Sequence, residues 1–468
     1  MQDTSYGSVA LIGLGASTEA AGLYLCSNPG IATSVELYAG ACDNKNKARA
    51  QKLEEAGVKV IWDEQRLDKP YDLGIVSPGL PAVSDFFASA QAACTELISE
   101  PELAWRESPQ DWVAITGTNG KTTTTTLTCE LLRASGIEAR TVGNIGLPPI
   151  ACVQERKPHE VFVAELSSFQ LHSVSRFVPK AAVLLNITPD HIAWHGSLEA
   201  YAQDKAQVFA RMSSSDICIV GDDAPSQAIA SEARSRGLRV IDLGRVPSPR
   251  ELDAAWVNDQ KILTVRLHSQ ETPLCAVDEM VLRGPHNMLN ALASAACALH
   301  MGAEPQKVAA ELAAFAPLEH RIELCAQKDG LKFYDDSKAT NVDAVLKALD
   351  AFEPGSIVLL LGGHDKGTDL SELVCAAQKK CQSVITFGEA SRRFTEALER
   401  EWSLHSENPL LLQAPHMREA CELAVAHAKS PAAILLSPAC SSFDEFSGYE
   451  ERGDTFKAWA REYAQGVE

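Results

Sequence analysis

The sequence predicts an α/β protein built from three consecutive domains, and three observations lead to this fold class. The chain has 468 residues, more than one ordinary core organises, since a domain averages roughly 150 residues. Short apolar runs alternate with helical stretches, which is typical of parallel sheets covered by helices. Boundaries near residue 100 and near Pro317 then divide the chain into residues 1–101, 102–316 and 317–468.

The elements of each domain follow from the apolar runs. Strands are expected at residues 9–12, 35–38, 58–62 and 73–76 of the first domain, 112–116, 161–166, 182–187 and 217–220 of the second, and 331–335, 357–362, 383–387 and 433–436 of the third. Helices are expected at residues 17–26, 45–56 and 287–300, and irregular strand signals cover 240–283. Because parallel strands end at one edge of a sheet, the loops that follow them are the places to look for a site.

The composition disfavours several kinds of protein. The 42 Lys and Arg residues against 62 Asp and Glu give a net charge of −20, which argues against nucleic acid as a partner. The 13 cysteines are odd in number and include no CxxC pair, so we expect reduced thiols and no zinc. Residues 1–8 lack a basic segment and no 18-residue apolar span is present, so we expect a cytoplasmic protein without a membrane span.

The most specific motif is a glycine-rich loop between a buried strand and a helix, with the sequence GTNGKT at residues 117–122. Its glycines let backbone N–H groups surround phosphate oxygens beside the N-terminus of a helix. Lys121 supplies a mobile cation for the terminal phosphates, and the hydroxyl of Thr122 can ligate Mg²⁺. The spacing is shorter than GxxxxGK[ST], and a structural turn with a chance lysine is the alternative. The strand–loop–helix context favours ATP.

Other strand ends in the first two domains carry candidate ligands. Gly15 and its neighbours open a helix, which suits a phosphate or nucleotide, whereas a plain tight turn or an NAD site is the alternative. Glu165 closes an apolar run and can hold a phosphate-bound Mg²⁺, or it is an ordinary strand-end acid. Asp190 and His191 follow the next strand to the same edge of the sheet. Taken alone, Lys205 is interpreted as a solvated cation on a helix.

Three polar loops follow strands of the third domain. They cover residues 335–341, 362–366 and 436–444 and are rich in lysine and hydroxyl side chains. Each by itself could simply be a soluble loop. Three of them at the carboxyl ends of strands in one α/β domain predict a binding crevice. Lysines with hydroxyls suit an anionic substrate such as a dicarboxylate.

In combination, these segments resemble the Mur ligases, the ATP-dependent amide-bond ligases of peptidoglycan precursor synthesis. The resemblance runs nearly end to end, through the segments GLG, GTNGKTT, GNIG, ELSSFQL, NITPDH, GPHNMLNALA, HR, DDSKATN, LGGHDK and LSPACSSFD. DDSKATN stands where diaminopimelate- or lysine-adding members carry Asp-Asn-Pro-Arg. The sequence is therefore most similar to members that add D-glutamate to UDP-N-acetylmuramoyl-L-alanine. The resemblance implies a Rossmann-like N-terminal domain, a P-loop ATPase-like central domain and a Rossmann-like C-terminal domain that swings in to close the site.

The resemblance also implies roles for single residues. Those expected at ATP are Gly117, Thr118, Asn119, Gly120, Lys121, Thr122, Thr123, Asn287, Asn290, Arg321 and Asp336. Those expected at the UDP-linked substrate or at D-glutamate are Gly15, Ala16, Ser17, Thr18, Asn144, Ser167, Gln170, His191, Lys338, Thr340, Lys366, Ser442 and Tyr449. Thr122 and Glu165 would hold one Mg²⁺, and His191 and a carbamylated Lys205 would hold a second, with Lys121, Glu165, His191 and Lys205 as the catalytic set. The protein is expected to act as a monomer.

Two other functions compete with this interpretation. A folylpolyglutamate synthetase shares the ATP loop and adds glutamate, but it lacks a separate UDP-binding domain such as the one that GLGAST predicts here. A nucleotide-dependent switch would merely hydrolyse ATP, and the polar loops of the third domain argue against it. Two departures from the family stand out: Tyr449 replaces a usual phenylalanine, and residues 38–43 do not match the uracil-side pattern.

Overall fold

A computed structural model describes residues 5–42, 44–244, 253–282, 284–316, 318–365, 367–403 and 408–466. The chain divides into two compact units, Met1–Phe315 and Ala316–Glu468. Pro317 and Lys366, which the sequence singled out as a boundary and a substrate contact, lie outside the described residues. Within those residues, no helix has the length and apolar character needed to cross a membrane.

The first unit begins with a parallel sheet in the strand order β3-β2-β1-β4-β5. Its strands are β1 (Ser8–Ile12), β2 (Ser34–Gly40), β3 (Lys59–Trp62), β4 (Tyr71–Val76) and β5 (Cys94–Ser99). The helices of this part are α1 (Ala16–Ser27), α2 (Asn44–Glu55), α3 (Asp85–Ala93) and α4 (Glu100–Glu107). Strand order and βα alternation make this the Rossmann-like layout that the resemblance implied.

The second sheet of the first unit has the order β14-β13-β12-β11-β10-β9-β6-β8-β7 among the described residues. Its strands are β6 (Trp112–Thr116), β7 (Ala139–Gly143), β8 (Val161–Glu165), β9 (Ala181–Leu184), β10 (Ile217–Val220), β11 (Arg239–Leu243), β12 (Ala254–Val257), β13 (Ile262–Leu267) and β14 (Gln270–Ala276). Its helices are α5 (Lys121–Ala134), α6 (Pro149–Cys152), α7 (Ser168–His172), α8 (Ile192–His195), α9 (Leu198–Ala206), α10 (Ala224–Ser235), α11 (Pro285–His300) and α12 (Pro305–Ala314), with a 3₁₀ turn at Gln207–Phe209. The sheet is parallel from β7 to β12, and β12, β13 and β14 pair antiparallel.

The second unit holds one sheet in the order β15-β16-β20-β17-β18-β19 within its described residues. Its strands are β15 (Glu323–Lys328), β16 (Leu331–Asp335), β17 (Ile357–Gly362), β18 (Cys381–Phe387), β19 (Leu410–Gln413) and β20 (Ala432–Ala439). Its helices are α13 (Val342–Leu349), α14 (Ser371–Lys380), α15 (Ser391–Trp402), α16 (Met417–His427) and α17 (Tyr449–Gln465). Only the β15–β16 pair of these described strands is antiparallel.

The α/β fold class is confirmed, and the differences from the expected elements have physical reasons. The strands β6, β8, β17 and β20 are each buried on both faces. Such strands are nearly continuous apolar runs, which can be recognised in the sequence alone. The strands that were not expected, β5, β7, β15 and β19, are partly exposed and carry polar residues. The irregular signals at 240–283 correspond to β11–β14, where the parallel sheet gives way to hairpins. The division into three domains and its two boundaries stay a prediction.

Glu100, at the start of α4, is a buried acid in the first unit. Its Oε1 accepts a hydrogen bond from the backbone N–H of Ile150 at 2.7 Å, while Oε2 has no hydrogen-bond partner among the described residues. Burial raises the pKa of Glu100 to about 8, although the Ile150 N–H opposes this. The folded protein therefore holds a proton at neutral pH that the unfolded chain releases.

Glu100→Gln should stabilise the protein increasingly as the pH rises. Below the ordinary carboxyl pKa of 4.5, both states of the wild type are protonated and the two proteins should differ little. From there to about pH 8, the free energy of unfolding of the wild type should fall relative to the variant by roughly 1.4 kcal/mol per pH unit. Urea denaturation across this range measures the difference, with Glu54→Gln on the exposed side of α2 as the control. A difference that does not change with pH would contradict the burial argument.

Candidate functional site

The site of the first unit lies where three neighbouring strands end. β6 pairs with both β8 and β9, which places Ile115 opposite Glu165 and Thr116 opposite Leu184. The carboxyl ends of parallel strands meet at one edge of the sheet, so the loops that follow these strands converge there. The structure thus brings together the GTNGKT, ELSS and NITPDH segments.

The phosphate loop takes its shape from glycine. Gly120 is the residue before α5 and has a φ of 85°, a conformation that other residues rarely adopt. A Cβ at Gly120 would lie 2.4 Å from Oδ1 of Asn290, so glycine also lets α11 approach the loop. The ammonium group of Lys121 donates to the carbonyls of Gly117 and Thr118, both at 2.8 Å. The predicted phosphate-binding lysine is therefore folded back over its own loop.

Glu165, the last residue of β8, has one carboxylate oxygen paired and the other unpaired. Oε1 accepts from Nδ2 of Asn144 at 2.7 Å, and Oε2 is buried without a hydrogen-bond partner among the described residues. A buried carboxylate oxygen without a donor is costly, and a hard divalent cation is a suitable partner for it. Glu165, with Thr122 as the half-buried second residue of α5, therefore fits the Mg²⁺ that the resemblance implies.

His191 follows β9 and stands before α8 with a φ of 53°. Its backbone N–H donates to Oδ1 of Asp190 at 2.9 Å, and its ring Nε2 lies 3.5 Å from Oδ2 of the same carboxylate. The ring also stands edge-on to Phe169, with 4.8 Å between centroids. These contacts orient an imidazole whose side chain is still 37% exposed, as an approaching ligand requires.

Lys205 is buried, so the interpretation as a solvated helix cation is wrong. Its Nζ donates to the carbonyl of Gly117 at 2.8 Å and lies 4.6 Å from the centroid of the Tyr201 ring. Lys121 shares the same carbonyl. Burial first, and then the nearby charge of Lys121, hold the pKa of Lys205 well below its ordinary value. The side chain of Lys205 points inward because α9 packs under the phosphate loop. The residues next to Lys205 in the sequence do not reveal this packing.

Several other residues that were expected at ligands make hydrogen bonds within the protein. The hydroxyl of Thr18 is buried and donates to the carbonyl of Gly13 at 2.7 Å, which shapes the turn before α1. Ser167 donates to Oε1 of Gln170 through its backbone N–H at 2.9 Å and through its hydroxyl at 3.0 Å. On α11, Nδ2 of Asn290 donates to Oδ1 of Asn287 at 3.1 Å. The described contacts of these residues are thus internal, and their contacts with substrates stay predictions.

In the second unit, the polar loops follow β16, β20 and β17, which are adjacent strands. The Nζ of Lys338 lies 3.6 Å from the centroid of the Tyr449 ring, a cation–π contact that joins two residues expected at D-glutamate. The backbone N–H of Thr340 donates to the carbonyl of Lys338 at 2.9 Å, and Ser442 is buried in the loop after β20. The three polar loops therefore follow neighbouring strands, and the binding crevice itself stays a prediction.

Asp336, expected at the nucleotide, is a buried carboxyl group at the end of β16. Burial raises its pKa to about 7, although the Ser437 hydroxyl, donating to Oδ2 at 2.6 Å, and the charge of Arg321 lower it. The group thus titrates near neutrality. Because the charge of Arg321 lowers this pKa, a second charge beside Arg321 would change the protonation state of Asp336.

A second cluster of possible metal ligands is accounted for by the protein itself. His320, Glu323 and Asp335 place ligand atoms close enough together for a cation. However, Nδ1 of His320 lies 2.6 Å from Oδ2 of Asp335, and the ammonium of Lys457 lies 3.4 Å from Glu323. A lysine in the cluster supplies the positive charge that a metal would bring, so this is an ion-pair network.

Arg452 is a residue that sequence reasoning missed. It is fully buried on α17, and its guanidinium donates to the hydroxyl and carbonyl of Ser337, both at 2.9 Å, and to the carbonyls of Cys440 at 3.0 Å and Ser441 at 3.2 Å. It therefore fastens the loop after β16 to the loop after β20. An arginine within a helix is ordinarily solvated, and the neighbouring glycine at position 453 was the only sequence sign of close packing.

With this geometry established, comparisons with known proteins identify the family. Two protein-family models match: the Mur ligase middle domain at residues 115–298, and the glutamate ligase domain of Mur ligases at 320–440. A curated relative, the UDP-N-acetylmuramoylalanine--D-glutamate ligase of Pelotomaculum thermopropionicum, is 41% identical over 388 residues, 82% of each protein. The chain belongs to the Mur ligase family.

Other relatives of this Mur ligase extend the match. A Salinibacter ruber protein, also named UDP-N-acetylmuramoylalanine--D-glutamate ligase, is 38% identical over 433 residues, 90% of this chain and 92% of the relative. Among solved structures, the MurF ligase of Thermotoga maritima in complex with ADP aligns with a TM-score of 0.58 at 16% identity over 92% of this chain and 96% of that one. The UDP-N-acetylmuramate-alanine ligase MurC of Thermotoga maritima gives 0.56 at 17% identity over 98% and 100%. These two structures support the fold.

Arg452→Lys should destabilise the second unit. An ammonium group cannot reach all the acceptors that the planar guanidinium satisfies, and it leaves carbonyls unpaired around a buried charge. We expect the free energy of unfolding to fall by about 2–4 kcal/mol, measured by urea denaturation. Arg461→Lys, on the exposed side of the same helix, is the matched control and should have little effect. Equal stability of the two variants would contradict the fastening role.

Proposed function

We propose that this Mur ligase uses ATP to join D-glutamate to UDP-N-acetylmuramoyl-L-alanine, with release of ADP and phosphate, in peptidoglycan precursor synthesis. The observation that carries the proposal is that the phosphate loop, Glu165 and His191 lie at one edge of a sheet. The chain that holds them is similar over most of its length to relatives named UDP-N-acetylmuramoylalanine--D-glutamate ligase. The MurF ligase in complex with ADP has the same fold, which supports ATP as the nucleotide.

The chemistry has two steps. An oxygen of the L-alanyl carboxylate attacks the γ-phosphorus of ATP, the bond to the β,γ-bridging oxygen breaks, and an acyl phosphate and ADP form. The amine of D-glutamate then attacks the acyl carbon, loses a proton, and expels phosphate from a tetrahedral intermediate. Phosphoryl transfer of this kind is catalysed mainly by positioning and by offsetting negative charge.

The first-unit site supplies those charges. Lys121 and the N-terminus of α5 would face the phosphates, and Mg²⁺ held by Glu165 and Thr122 would offset the charge that develops on the transferring phosphoryl group. His191 and a carbamylated Lys205 would hold a second ion. Burial lowers the pKa of Lys205 and so favours its neutral amine form, which is the form that adds CO₂ with formation of an N–C bond and loss of a proton.

The remaining assignments complete the proposal. The turn at Gly15–Thr18 would receive the UDP part, and Asn144, Ser167 and Gln170 would contact the muramoyl-alanyl part. Asn287, Asn290, Arg321 and Asp336 would meet the nucleotide, and Lys338, Thr340, Lys366, Ser442 and Tyr449 would bind D-glutamate. We further propose three domains at residues 1–101, 102–316 and 317–468, and a cytoplasmic monomer that does not bind nucleic acid.

Lys121→Ala should lower kcat for ligation by roughly 10²-fold or more, because it removes a cation that acts on the transferring phosphoryl group. ADP release in the presence of all three substrates measures this. Lys157→Ala is the matched control in the same unit, since Lys157 is exposed and its ammonium group pairs with the exposed Glu138 at 3.0 Å. Near-normal ligation by the Lys121 variant would rule out the proposed mechanism.

ADP release should depend on both co-substrates. We expect little turnover with ATP alone, and efficient turnover only with UDP-N-acetylmuramoyl-L-alanine and D-glutamate together. A panel of D-glutamate, L-glutamate and D-glutamine, assayed by ADP release and by mass of the product, tests specificity. Preference for another amino acid would remove the D-glutamate assignment, whereas turnover with ATP alone would favour a nucleotide switch.

A further inference from the structure

Four side chains that the proposed function does not use form a hydrogen-bonded chain beside the first-unit site. Oδ1 of Asp204 lies 2.9 Å from Nδ1 of His172, and Oδ2 lies 2.6 Å from Nδ1 of His195. The other ring nitrogen of His195, Nε2, lies 3.0 Å from the hydroxyl of Ser168. One carboxylate thus connects two histidines and, through one of them, a serine.

These four hydrogen-bonded side chains connect three short helices, and each helix follows or contains a proposed metal ligand. Ser168 and His172 are the first and last residues of α7, which begins just after Glu165. His195 is the last residue of α8, which begins directly after His191. Asp204 lies on α9, immediately before Lys205. The three segments that carry Glu165, His191 and Lys205 therefore meet at one carboxylate.

Aromatic side chains pack around these four hydrogen-bonded residues. The side chain of His195 is fully buried and stacks on Phe169, with ring centroids 5.4 Å apart, while Phe169 also contacts His191. The ring of Tyr201 stands edge-on to His195 at 5.1 Å, and its hydroxyl lies 3.1 Å from Oγ1 of Thr118 in the phosphate loop. A displacement of His195 would therefore reach both His191 and the phosphate loop.

The array has the residue types of a nucleophilic Ser–His–Asp triad, but its burial indicates a different role. The Ser168 residue is only 2% exposed, so its hydroxyl has no access to a substrate. Both carboxylate oxygens of Asp204 are engaged by histidine rings, which suits a fixed support.

We propose that Asp204, acting through His195 and His172, is a positioning residue that holds Glu165, His191 and Lys205 in the geometry needed to bind divalent cations. The proposal rests on the function proposed above. α7 has five residues and α8 has four, lengths at which a helix is not stable on its own. Their orientation must therefore come from tertiary contacts, and Asp204 supplies the contact common to all three helices.

Asp204→Asn tests this, because it keeps the size of the side chain and removes its charge. Glu199→Gln is the matched control: it removes the same charge from an exposed position on the same helix. We expect Asp204→Asn to weaken Mn²⁺ binding to the full-length protein with ADP by about tenfold, measured by electron paramagnetic resonance, and Glu199→Gln to leave it unchanged. Wild-type affinity in the Asp204 variant would overturn the proposal.

A second variant separates positioning from stability alone. If Asp204 acts through His195, the double variant Asp204→Asn/His195→Gln should bind Mn²⁺ no more weakly than the Asp204 variant. The reason is that each substitution removes the same contact, the one between Asp204 and His195. Thermal unfolding is followed for every variant. A lowered midpoint with unchanged Mn²⁺ affinity would show a merely structural role and overturn the proposal, as would additive losses of affinity.

The two proposals fail in different ways. If the wild type ligates D-glutamate but Asp204→Asn binds Mn²⁺ normally, the positioning role is wrong and the proposed function stands. If the wild type does not ligate D-glutamate but the Asp204 variant still loses Mn²⁺ affinity, the function is wrong and the positioning role stands.

Discussion

The register of β6 against β8 and β9 is the constraint on which the first-unit site depends. Because β6 lies between the other two strands, the phosphate loop, Glu165 and the segment that leads to His191 leave the sheet at the same height. A shift of the register by one residue would turn Glu165 to the opposite face of the sheet. The buried apolar faces of all three strands oppose such a shift, so packing in the core fixes the position of the chemistry at its edge.

Sequence could predict the parts of this site that depend on strand ends and glycine. A buried strand followed by GTNGKT places Lys121 without further information, and Glu165 follows from the end of the next apolar run. Lys205, Asp204 and Arg452 could not be predicted in this way, since each lies on a helix, where a charged residue is ordinarily solvated. Their burial depends on which helix packs beneath which loop, and that is decided by contacts far apart in sequence.

Some of the charged side chains around the two sites are fully paired, and others are not. Asp204 satisfies both oxygens with histidines, and Arg452 satisfies its donors with carbonyls and a hydroxyl, so neither leaves a costly unmet group. Glu165 Oε2 is an exception at the end of β8. Other buried carboxylate oxygens of the described residues, such as Oε2 of Glu100, also lack a partner. The unpaired oxygen of Glu165 differs from that of Glu100 in its position at the sheet edge beside the phosphate loop, which is consistent with a ligand-binding edge.

A protein with a net charge of −20 must still attract a triphosphate, and the structure indicates how the repulsion is overcome locally. Backbone N–H groups of the phosphate loop and the N-terminus of α5 provide positive potential that does not depend on net charge. Lys121 and Lys205 share the carbonyl of Gly117, and two ammonium ions so close would repel each other. Burial, and then the charge of Lys121, lower the pKa of Lys205 well below its ordinary value, which favours loss of the proton from this lysine. A carbamate on Lys205 would then turn this repulsion into attraction, so that the lysine next to the phosphates is held in place by the residue proposed to bind metal.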